Sequence, residues 1–116
     1  MRPGLLRRTR LTGTLVLTGF SILIPRAIAQ SAELYKEHCS ACHGTDGSGS
    51  TTAGKKMGLS DLRSVEVQKL SDQELFKTIA YGLKHKQYPH AFVKRGVSEK
   101  QVTELIAYLR SLAKRK

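Results

Sequence analysis

Cys39-Ser40-Ala41-Cys42-His43 is the stretch that decides how this chain is read. It holds both cysteines of the 116 residues. Side chains three apart on a helix project to the same side. The two sulfurs can therefore meet two points along one edge of a flat group, and the histidine that follows can turn its imidazole under the centre. This is the spacing of covalent haem attachment, in which each sulfur adds across a vinyl group and the histidine becomes an axial iron ligand. Rival chemistries need surroundings that the sequence lacks. A thioredoxin-like dithiol sits in a βαβ setting. Zinc wants a second ligand pair at helix or knuckle spacing, which His85 and His90 do not have. A disulfide closing so small a ring would cross-link almost none of the chain. The expectation is one covalent haem c, bound by Cys39 and Cys42, with His43 as proximal ligand.

Upstream, residues 1–29 read as a secretory signal peptide. Arg2, Arg7, Arg8 and Arg10 make a basic start, Leu11 to Ile24 is apolar or small, and Ala27-Ile28-Ala29 is a small-x-small cleavage site. A retained membrane anchor is the competing reading. The apolar run is short against the roughly 20 residues of a bilayer span, and Pro25 and Arg26 close it. The expected mature domain is residues 30–116, one unit of 87 residues. So short a chain buries a modest core and gains from a cofactor.

Downstream, the pattern is helical throughout. Residues 31–42 predict a first helix, capped by Ser31, with Ala32, Leu34 and Tyr35 apolar. Residues 44–54, rich in Gly, Ser and Thr, read as a loop. Ser71-Asp72-Gln73-Glu74 is a capping box opening a helix with Leu75, Phe76, Ile79, Ala80 and Leu83 at helical period. Residues 84–97 form a second loop. Ser98-Glu99-Lys100-Gln101 is another capping box, opening a last helix with Val102, Leu105, Ile106, Leu109 and Leu112 on one face. No segment alternates as a strand, so the expected fold is all-α.

With these features in place, the mature chain resembles class I cytochrome c, the small bacterial monohaem type, over nearly all of residues 31–113. The resemblance lies in Leu34-Tyr35, Cys39 to Gly44, Asp46-Gly47-Ser48-Gly49, and the run Val97 to Arg110. It implies three to four helices wrapped around one haem, with the first and last helices crossing near Leu34, Leu105, Tyr108 and Leu109. It also implies haem addition after export and electron transfer through an exposed haem edge.

The family usually supplies a methionine before its last helix as the sixth iron ligand. Here the chain reads Tyr88-Pro89-His90-Ala91-Phe92. Counting back from Ser98 puts His90 in that place, whereas counting by the proline puts Tyr88 there. His90 is taken as the distal ligand, with Tyr88, His85 and Met57 as alternatives. Phe76, Ile79, Phe92, Met57 and Leu62 are expected to line the haem pocket. His38 reads as a surface residue.

The charge narrows the partners. Five of the 20 Lys and Arg fall in residues 1–29, leaving 15 against 9 acidic residues, a net charge of +6 before any cofactor. The basic residues are dispersed, without the aromatic or helix-turn-helix signals of nucleic-acid binding. The expectation is a periplasmic or otherwise exported monomer that carries one electron and has no catalytic residues. Membrane contact would come only through partners or an uncleaved signal. Lys84, Lys86, Lys94 and Arg95 would guide a redox partner with an acidic docking surface. A small peroxidase or a gas-binding module, each with an open sixth site, is the alternative.

Overall fold

The segment expected to make one first helix breaks at the cysteine motif. The structure, a computed structural model, describes residues 25–83 and 90–115. Helix α1 spans Arg26–His38 and helix α2 spans Ser40–His43. Cys39 is the joint, and its amide still donates to the Tyr35 carbonyl at 2.8 Å. Ser31 is not the cap. It is buried inside α1, and its hydroxyl donates back to the Ala27 carbonyl at 2.8 Å, the i−4 bond open to a mid-helix serine. The helix starts instead behind Pro25, whose fixed φ suits a helix entrance. The expected cleavage site thus lies within α1, and residues 1–24 lie outside the described residues.

Residues 44–70 hold two short helices that no hydrophobic period announces, α3 at Thr52–Met57 and α4 at Val65–Gln68. Each begins at a hydroxyl. Thr51 accepts from the Gly54 amide and Ser64 from the Val67 amide, the usual way to satisfy open donors at a helix start. Helix α5, Asp72–Tyr81, and helix α6, Glu99–Leu112, follow the sequence reading, except that Leu83, expected on the apolar face of α5, lies beyond the helix and is exposed. Both capping boxes are formed, Ser71 with Glu74 and Ser98 with Gln101. Helix α5 stops at Gly82, whose φ of 69° favours glycine. A 3₁₀ turn at Phe92–Arg95 precedes α6. Lys84, His85, Lys86 and Tyr88 lie outside the described residues.

The core forms where α1 crosses α6. Tyr35 and Val102 are its largest fully buried side chains, and Tyr35 packs on Tyr108 with ring centroids 5.3 Å apart. Leu105 and Leu109 complete the crossing and Leu34 packs at its margin. Helix α5 lays Leu75, Ile79 and Ala80 against the same core. Arg110 of α6 ties down the corner between α4 and α5. It donates to the carbonyls of Gln68 at 2.9 Å and Leu70 at 2.5 Å, and pairs with Asp72 at 2.8 Å. Among the described residues there is no strand, and the fold is all-α.

Candidate functional site

Three successive carbonyls at the end of the cysteine motif are held from three directions. The Thr51 hydroxyl donates to the Cys42 carbonyl at 2.6 Å, the Gly49 amide to that of His43 at 2.8 Å, and the Tyr35 hydroxyl to that of Gly44 at 2.7 Å. The backbone carrying His43 is thereby fixed by α1, the glycine loop and the start of α3. The loop closes this tightly because Gly54 has no side chain. A Cβ there would come within 2.3 Å of the Gly49 carbonyl oxygen and 2.6 Å of that of Cys42. Gly54→Ala is expected to cost about 3 kcal/mol or more, the range of severe steric substitutions. The check is the thermal melt of the purified holoprotein.

Tyr35 carries a pH prediction. Burial, and then the nearby Cys39, Tyr108 and Asp46, raise its phenol above the ordinary tyrosine value of 10.0. The folded state therefore prefers the protonated form. That preference is intact below the unfolded value of about 10 and is lost as pH climbs past it. Tyr35→Phe should cost about 1 kcal/mol at neutral pH, the worth of a typical hydrogen bond. The gap to the parent should close above about pH 10. Denaturant melts of both proteins at neutral and alkaline pH check it.

Cys39 and Cys42 are not joined to each other. Burial pushes the Cys39 thiol up to about 12, with the Arg95 charge partly opposing. A thiol that keeps its proton at neutral pH is a weak nucleophile, since thiolate is the reactive form.

Both cysteines line a cavity of about 440 Å³ whose walls are mostly apolar. Such a size falls within the roughly 300–1,000 Å³ of cofactor pockets. His43 and His90 both line it, with ring centroids 6.3 Å apart and planes within 13° of parallel. That separation has a physical meaning. An imidazole nitrogen sits about 1.1 Å from its ring centroid, and a first-row metal binds it at about 2.0–2.1 Å. Two imidazoles that share one metal from opposite sides would have centroids roughly 6.3 Å apart, a span that the spacing of this pair allows. Among the described residues no three His, Cys, Asp or Glu side chains converge on a point. Two donors alone suit a metal that brings its own equatorial set, as haem iron does. The residues present fit the group.

Of the side chains expected to line this pocket, Met57, Leu62, Ile79 and Phe92 do so. Phe76 does not. It follows Leu75 by one position, about 100° further round α5, and meets the ring of Tyr81 edge-on at 5.9 Å. His38 is a second correction. One turn beyond Tyr35, it lines the cavity, only 24% of its side chain is exposed, and its ring lies 5.6 Å from that of Phe92. Lys94 and Arg95 are exposed at the 3₁₀ turn, with the Arg95 guanidinium 4.8 Å over the Phe92 ring. Sequence reasoning did not find the roles of Tyr35, Thr51 and Gly54. The hydroxyl-rich run after His43 was the available signal.

A family model described as cytochrome c oxidase, cbb3-type, subunit III matches residues 26–109. A search of the curated proteins returns no match. No helix among the described residues is long and apolar enough to cross a membrane.

Proposed function

The chain belongs to the cytochrome c oxidase, cbb3-type, subunit III family of cytochrome c domains, and from that premise we propose that it is a single-haem, one-electron carrier with His43 and His90 as axial ligands. The family implies covalently bound haem c and haem-based electron transfer. When bound, the haem supplies the ferric–ferrous couple. The protein does the rest. Cys39 and Cys42 would anchor the haem through thioethers, and the backbone of His43 is held by the three pinned carbonyls. The apolar walls at Leu62, Ile79, Phe92 and Leu109 exclude water, which limits the reorganisation that accompanies each charge change.

One observation carries the ligand assignment, the 6.3 Å separation of the His43 and His90 rings across the cavity that the cysteines line. Were His43 and His90 both to hold the iron, peroxide and gas would find no free place on it, which favours a carrier over an enzyme. The proposed setting is extracytoplasmic, after removal of residues 1–29. The proposed partners are redox proteins that present an acidic surface to the exposed Lys94 and Arg95. A potentiometric titration of the holoprotein tests the reading. The expected result is a single one-electron step between two six-coordinate states. Peroxide turnover, or carbon monoxide binding as fast as at an open haem, would contradict it.

A further inference from the structure

Ala91 has a φ of 61° and a ψ of 46°, and it is the one residue other than glycine with a positive φ among the described residues. Such a conformation strains a residue that has a Cβ, and it persists only where the surroundings over-determine it. It falls between His90 and Phe92, both of which line the cavity. The surroundings that hold it are visible. The Lys94 amide donates to the Ala91 carbonyl and the Val97 amide to that of Phe92, each at 3.1 Å. Phe92 is 5% exposed, and its ring centroid is 5.6 Å from that of His38 and 6.1 Å from that of His90. The Arg95 guanidinium lies over the same ring at 4.8 Å.

We infer that Ala91 and Phe92 are positioning residues for the distal ligand. The left-handed turn at Ala91 sets the direction in which His90 leaves the 3₁₀ turn, and the Phe92 ring sets the plane of its imidazole, near-parallel to His43. The inference rests on His90 being an iron ligand. The consequence is a distal bond held in one orientation by the polypeptide. An imidazole on an unconstrained loop would sample many planes and leave the iron more readily.

The test uses the holoprotein and two readouts that stability alone does not move. Ferric electron paramagnetic resonance reports the mutual angle of two axial imidazole planes through the spread of g values. The carbon monoxide binding rate of the ferrous form reports how readily the distal ligand leaves. Phe92→Leu keeps apolar bulk but removes the flat ring, and Ala91→Val puts a β-branched side chain where φ is positive. Each is expected to change the g spread and to raise the carbon monoxide rate about tenfold or more. Phe92→Tyr keeps the ring and Ala91→Gly relieves the strain, and both should keep the parent g spread. Should Ala91→Val fail to fold, the contrast between Phe92→Leu and Phe92→Tyr decides. Parent-like g values and rates in Phe92→Leu, with His90→Ala turned high-spin, would overturn the inference and leave the ligand assignment standing. A His90→Ala spectrum unchanged from the parent would remove the ligand assignment and the inference with it.

Discussion

His90→Ala is expected to convert a low-spin ferric haem into a high-spin one and to open the ferrous form to carbon monoxide. The argument is one of donors. The ring of His90 lies 6.3 Å from that of His43 across the cavity, and an alanine there leaves no imidazole at that position. Iron that loses a strong-field axial nitrogen falls back on water, a weak-field ligand. Added imidazole should restore the low-spin spectrum, since the space left has the ligand's own shape. His90→Met should restore six-coordination in a different way. Methionine opposite histidine raises the haem potential, and against a protein-tunable span of about 0.8 V the rise should be on the order of 0.1–0.2 V. Optical spectra of the variants in both oxidation states check all three outcomes. A His90→Ala protein that stays low-spin would assign the distal position to another residue. A sulfur-to-iron charge-transfer band would name Met57, which also lines the cavity, and its absence would point to His85 or Tyr88.

The second large effect concerns folding. Cys39→Ala combined with Cys42→Ala should yield little folded protein even where haem is supplied. The cavity of about 440 Å³ lies beside the residues that form the core, with Leu75, Ile79, Phe92, Leu105 and Leu109 lining it and belonging to that core. Without the group, the apolar side chains that line this space face water, at about 25 cal/mol per Å² of apolar surface left uncovered. A small domain's whole stability is about 5–15 kcal/mol. A group that fills the space only in the native state contributes by mass action, and covalent attachment makes that contribution permanent. Circular dichroism and a thermal melt of the haem-free variant check it. A cooperative melt with full helix content would refute the argument.

The longer elements could be read from the sequence because their signals are local. The boxes at Ser71 and Ser98 are four-residue patterns, and each formed as read. The crossing of α1 and α6 follows from the family resemblance, and Tyr35 with Tyr108 marks where it happens. Helices α3 and α4, of six and four residues, are too short to show a period, and only their hydroxyl caps betray them. Period also misassigned Phe76. The apolar stripe of α5 is broad enough to serve both the cavity and the packing against its neighbours, and spacing alone does not say which face meets which. The pinned carbonyls of Cys42, His43 and Gly44 draw on partners up to nine residues away. The hydroxyl-rich run after His43 is the local hint of them, and it names neither the donors nor the carbonyls. The proposal of His90 as distal ligand rests, on the sequence side, on counting back from the last helix, in competition with a register that favours Tyr88.

Everything depends on one porphyrin being bonded through sulfur to Cys39 and Cys42. Intact-mass measurement of the denatured protein, after expression with a haem-attachment system, addresses that most directly. The predicted result is the polypeptide mass plus one haem, with the pigment retained through acid acetone. A colourless chain at the bare polypeptide mass, or haem released on denaturation, would contradict it.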